Sequence, residues 1–395
     1  MKYFSPVVTF IDERVPMRDF PFPAGPMGTL PVEYDTMGKI GLPVVSLPDG
    51  MEIRLAVRYS DVAAVLTDER FSRALAADLP GTGFGRNQRT GLLDLDPPDH
   101  AVLRDPLDRA LAADRVERWL PSLRSLVHEQ VTAFAAGDRP ADLVRGFAAP
   151  VASRSICALV GLGVAAAADV ATNIDEMLAS GSAEARSTLR KAVEDLVTRR
   201  RAEPADDIAT SLLELSDDDA ATVLFGLLIS GYVGNRNALA RHVFALLAAP
   251  GADGVLPSLA TRPERVGRVV DELLRYYPSG NDGLLRVARE PVWLSGVLLE
   301  PGTVVMPVIA AASHDPEVFD RPEVFDPDRE PNTHVSLGRG THRCPGDHLV
   351  RALFGIVLTE LTTALPRLRL AIPASEVRHT DDLLPLGIVD LPVTW

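Results

Sequence analysis

The stretch Leu337-Gly338-Arg339-Gly340-Thr341-His342-Arg343-Cys344-Pro345-Gly346 decides how the rest of the chain is read. Two glycines precede a lone thiol, one follows it by two residues, and an apolar pattern with helical spacing begins at once (Leu349, Leu353, Ile356, Val357, Leu361). Glycine is favoured where the backbone needs positive φ or must pass close to a bulky group, so the loop describes a chain folded tightly around a sulfur. A thiolate wrapped in this way suits a metal. Burial as a small hydrophobe in a glycine-rich turn is the commoner fate of a single cysteine, and the loop alone leaves both readings open.

Other patterns stand upstream. Pro263 opens a segment whose apolar positions Val266, Val269, Val270, Leu273 and Leu274 recur at helical spacing, and Pro278 stops it. Glu272 and Arg275 fall one turn apart on this helix and are able to pair, as a solvated surface ion pair or as something more. Short strands are expected at Leu284 to Arg289, Val292 to Leu294 and Thr303 to Val308, separated by Ser295-Gly296 and Pro301-Gly302. His100-Ala101-Val102-Leu103-Arg104 follows Asp96-Pro97-Pro98-Asp99.

Together these patterns resemble cytochrome P450, in the family's order and over nearly the whole chain. The resemblance implies a mainly α fold with a smaller β region. It implies haem b between a long helix, the I helix, and the cysteine loop, with Cys344 as the thiolate ligand of the iron. Glu272 and Arg275 resemble the Glu-x-x-Arg of the family's K helix. Haem carries two carboxylates whose burial needs cations, and His100, Arg104, Arg286 and His342 take that role by resemblance. Gly338 and Gly346 belong to the cofactor cradle by the same resemblance.

Departures from the family make the chain specific. The run from Leu224 to Asn237 resembles the I helix, where an acid and an alcohol usually deliver protons during oxygen activation. Here Val233 stands for the acid and Gly234 for the alcohol, and Asn237 supports that register. Neither valine nor glycine can hold a proton. Water held by an opened helix, Asn235, or a polar group of the substrate is expected to replace the relay. Leu337 stands where phenylalanine is usual. Pro345 follows the ligand and has no N–H, so the thiolate is expected to receive one hydrogen bond fewer. Val324 replaces an arginine that often joins the Glu-x-x-Arg pair, with Arg329 as a substitute.

With 395 residues and no linker, charge block or repeat, a single domain over 1–395 is expected. Cys157 and Cys344 suggest no disulfide framework. Pro6, Asp12 and Glu13 break up the opening stretch, so neither a signal peptide nor a membrane anchor is expected and the reading is cytoplasmic. A net charge of −14 argues against nucleic acid or an anionic membrane as partner. The resemblance implies a small or mid-sized natural product as substrate and a ferredoxin-type electron donor, with Arg339, Arg343 and Arg351 as a basic patch for it. Pocket residues are expected from Leu79 to Gly91, Ile229 to Val233, Ser279 to Gly283 and Leu384 to Gly387, with Asn281 and Asp282 either binding substrate or serving a turn. The expected activity is oxidative tailoring: hydroxylation, or an atypical desaturation, ring formation or coupling. A haem-binding homologue that has lost oxygen activation and serves in recruitment is the alternative.

Overall fold

The computed structural model describes residues 20–81, 91–280, 283–380 and 386–395. At the centre lies the long helix Asp217–Ala248. Ser216 caps its first turn by accepting the Asp219 N–H at 3.1 Å, and Asp217, Asp218 and Asp219 place negative charge at the positive end of the helix dipole. Its later part, Asn237 to Leu246, is buried all round, and the helix packs against the helices Ala149–Val160 and Ala183–Ala202. A second packed pair joins Ala113–Ala135 to the C-terminal helix Asp347–Ala364. Leu349, Leu353, Ile356, Val357 and Leu361 are all buried there, as their spacing predicts.

The β region lies to one side. Its largest sheet has the order Val44–Ser46, Glu52–Ala56, Val304–Pro307, Arg286–Ala288, Phe71–Ser72, and only the pairing of Glu52–Ala56 with Val304–Pro307 is parallel. Phe71 pairs with Ala288 and Ser72 with Val287, a register that brings the chain entering Arg73 alongside Arg286. The strand at Val292–Leu294 forms a hairpin with Val297–Leu299 through Ser295 and Gly296, both at positive φ as a tight hairpin turn requires. Among the described residues no helix is long and apolar enough to cross a membrane.

Candidate haem-thiolate site

The cysteine loop is held by its own backbone. Gly338 N–H donates to Val335 O at 2.8 Å, and Cys344 N–H donates to Leu337 O at 2.8 Å. Gly338 and Gly340 have φ of 73° and 65°, where a side chain would be strained. A Cβ at Gly340 would also stand 2.5 Å from the Leu66 carbonyl oxygen, so the loop rests directly on the end of the helix Tyr59–Thr67. Gly346 works differently, with φ of −93° and nothing within 4 Å of a Cβ built there. Its contribution is an N–H that donates to the Cys344 sulfur. Pro345 itself offers no N–H, so of the two residues after the ligand only Gly346 supplies one. Burial pushes the Cys344 thiol up, against that hydrogen bond and the nearby Arg104 and Arg343. A metal cation that displaces the proton relieves that cost.

Beside the loop the structure gathers His100, Arg104, Arg286 and His342. The His100 and His342 rings lie 4.5 Å apart, and the buried Nε2 of His100 has no hydrogen-bond partner among the described residues. Arg104, on the helix Asp99–Ala110, donates to Thr341 O at 3.3 Å and pairs with Asp108 at 2.8 Å. Arg286 is 4% exposed and among the described residues donates only to the carbonyls of Leu284 and Leu285, at 3.0 and 3.2 Å. Burial pulls its pKa down to about 9, and Arg73 pushes the same way. His342 is driven down to about 2 by burial, then by Arg286, His100, Arg73 and Arg104. Arg286, a buried guanidinium with no carboxylate partner among the described residues, fits a ligand that brings carboxylates of its own. Arg73 is the member that sequence reading missed. It is buried against Asp94 at 2.7 Å and Leu285 O at 2.7 Å, and the strand register that delivers it has no local signature.

The Glu272 and Arg275 pair is fully buried, with contacts of 2.7 and 2.8 Å, so it is not a surface salt bridge. Arg329 completes it, donating to Glu272 at 3.1 Å, while Asp326 N–H and the Asn332 amide satisfy the remaining acceptor positions. The substitute for the arginine missing at Val324 is therefore in place. Arg275 reaches on to Ser313 O and Pro322 O, both at 2.9 Å, and ties the helix Val266–Tyr276 to the segment leading into the cysteine loop.

The long helix runs unbroken through Ser230 to Asn237, so an opened helix is not what holds water there. Val233 and Asn237 are buried, and a Cβ at Gly234 would meet nothing within 4 Å. Asn235 donates its amide to Gly231 O at 2.8 Å and keeps its own carbonyl oxygen as an acceptor. Next to the missing acid, sequence reading overlooked a network. Tyr232 donates to Asp175 at 2.9 Å, Arg236 pairs with Asp175 at 2.5 Å, and Arg236 Nε donates to Asn237 Oδ1 at 3.0 Å.

Two of the three arginines of the expected basic patch are internally paired, Arg343 with Asp347 at 2.8 Å and Arg351 with Asp271 at 2.8 Å, while Arg339 stacks on Tyr59. The expected pocket residues Asn281, Asp282 and Leu384, and most of the segment from Leu79 to Gly91, lie outside the described residues.

The cytochrome P450 family model matches residues 266–390, which hold the buried Glu272 and Arg275, Arg286 and the cysteine loop. Mycinamicin IV hydroxylase/epoxidase of Micromonospora griseorubida is 35% identical over 366 residues, 88% of this chain and 91% of that protein. The chain belongs to the cytochrome P450 family. Nocardicin C N-oxygenase of Nocardia uniformis subsp. tsuyamanensis is 34% identical, over 89% of this chain and 92% of that protein. The solved structure of the mixed-function P450 MycG superposes with a TM-score of 0.87 at 33% identity, over 96% of this chain and all of that one (100%). As a cytochrome P450 the protein is an oxidoreductase of the monooxygenase type whose cofactor is haem b, acting on small molecules with electrons from a redox partner.

Proposed function

We propose that the protein is a single-domain oxidative tailoring enzyme for a small or mid-sized natural product, drawing electrons from a ferredoxin. The observation that carries this is buried Arg286, without a carboxylate partner among the described residues, gathered with His342, His100 and Arg104 beside a cysteine whose sulfur already accepts an amide hydrogen bond. Haem b, when bound, supplies the redox iron. Cys344 would ligate it, Arg286 and Arg104 with the imidazoles of His100 and His342 would hold its carboxylates, and Gly338 and Gly346 would shape the loop against it. Relatives that hydroxylate, epoxidise or N-oxygenate support a working enzyme over a recruitment homologue.

The proton route is the unusual part. Val233 and Gly234 hold no proton, so their places contribute space and dryness. Asn235 keeps one acceptor free to orient water or a substrate hydroxyl. Asp175, half-exposed, and buried Asn237 mark the two ends of a polar chain through Tyr232 and Arg236, on the side where the family's acid would stand.

Reconstitution with a ferredoxin and its reductase tests both points. Product should depend on reducing equivalents and oxygen, and haem-loaded protein that forms none with any bound ligand would favour the recruitment homologue. In the double variant Val233→Asp, Gly234→Thr, product per electron pair should not rise. A large gain in coupled product, with peroxide falling, would mean that the native site is degraded rather than adapted.

A further inference from the structure

Six arginines are buried among the described residues: Arg73, Arg104, Arg241, Arg265, Arg275 and Arg286. Four of them meet a carboxylate, namely Asp94, Asp108, Asp328 and Glu272. Arg286 is explained by the carboxylates of the cofactor. Arg241 is left without an explanation. It is 2% exposed on the long helix, its Nε has no hydrogen-bond partner among the described residues, and its guanidinium lies 4.8 Å over the Tyr277 ring. A buried guanidinium left unpaired is among the costlier arrangements a fold can hold.

A second unpartnered group stands beside it. Both ring nitrogens of His379 are buried without a partner among the described residues, the ring packs edge-on against Phe244, one turn beyond Arg241 on the long helix, with centroids 5.3 Å apart, and Arg241 is the charge that acts on it. The backbone closes tightly over this histidine: Gly28, at φ of 71°, would place a Cβ 2.5 Å from His379 Nδ1. Tyr277 fixes the same wall by donating to Met27 O at 3.1 Å. One turn before Arg241 on the same helix, the Asn237 amide lies against Gly387, where a Cβ would approach within 3.0 Å. The cluster therefore sits between the long helix, the end of the helix Val266–Tyr276 and the segment carrying His379. The half-buried His379 gives it a side toward solvent.

We propose that Arg241 and His379 form a carboxylate-binding site, filled by the carboxylate of the substrate or of a free organic acid. Arginine's fork matches a carboxylate with two parallel hydrogen bonds, and the imidazole supplies a further donor. The substrate arm rests on the enzyme reading above, whereas the binding chemistry does not.

The test uses the haem-loaded full chain with phenylacetate, phenylbutyrate and phenyloctanoate, their primary amides, and acetate, followed by calorimetry and by the haem optical spectrum. At least one acid should bind about tenfold or more tighter than its amide, as a charge-assisted pair in a dry site implies. That preference should vanish in Arg241→Met and weaken in Arg241→Lys. A spectral shift on binding assigns the site to substrate; binding without a shift, competed by acetate, assigns it to a free acid. Arg241→Met should not lower the melting temperature of ligand-free protein, because it removes an unpaired charge. Acid and amide binding alike in the native protein would overturn the proposal. So would a melting temperature lowered equally by Arg241→Met and by the double variant Asp381→Asn, Asp382→Asn, since Arg241 would then have its counter-ion within the chain. Failure of the enzyme reading would appear separately, as a haem-loaded protein without thiolate ligation.

Discussion

Arg329→Leu isolates the contribution of a residue that replaces a missing family arginine. Arg329 donates to Glu272 at 3.1 and 3.2 Å, to Asp320 O at 2.7 Å and to Val324 O at 3.1 Å, with its side chain 8% exposed. Stranding a buried charge costs about 3–5 kcal/mol. Glu272 is not stranded, because Arg275, Asp326 N–H and Asn332 remain. The loss is therefore that of a charge-assisted hydrogen bond with some dry carbonyls, roughly 2–3 kcal/mol. For a chain of 395 residues, an unfolding entropy of about 2.1 cal/mol/K per residue gives roughly 0.8 kcal/mol/K, and the melting temperature should fall by about 3 °C. Arg275→Leu removes the bidentate partner and the ties to Ser313 O and Pro322 O, and should cost at least twice as much. Thermal unfolding of the haem-loaded protein, followed by circular dichroism and by haem absorbance, measures both. A fall of less than about 1 °C in Arg329→Leu, well under the value expected for that bond, would refute the reasoning.

Two further outcomes are expected. His242 is buried beside Phe354, with Nε2 3.3 Å from Tyr277 O, and burial pulls its pKa from 6.5 down to about 3. The unfolded chain then binds one more proton between those values, so this contribution is intact above about pH 6.5 and is lost as pH falls toward 3, at about 1.4 kcal/mol per pH unit; His242→Leu should flatten the acid side of the stability profile by one proton, and an unchanged slope in denaturant titrations would count against it. Pro345→Ala adds a second amide beside the one from Gly346 and should raise the haem reduction potential in redox titration; an unchanged potential would show that the new N–H points away from sulfur.

What was legible in the sequence was local. The cysteine loop, the Glu272 and Arg275 pair and the helix after Cys344 are set by spacings of a few residues, and the structure keeps them as read. Arg329 was also visible as the substitute for Val324, because both stand in one short segment. Arg73 was not, since only the pairing of Phe71–Ser72 with Arg286–Ala288 brings it to the site. The Asp175, Tyr232 and Arg236 network joins two helices far apart in the chain and carries no motif. The amide of Gly346 was missed for another reason: sequence shows which residue lacks a donor, but where the next N–H points is set by the geometry of the helix start.

The account stands or falls on Cys344 as the thiolate ligand. The reduced carbon monoxide complex of the native protein is expected to show the red-shifted Soret band of thiolate ligation, and Cys344→Ala is expected to lose that band even where some haem is retained through Arg286, His342, His100 and Arg104. A red-shifted band that survives in Cys344→Ala, or its absence from the native protein loaded with haem, would contradict the account.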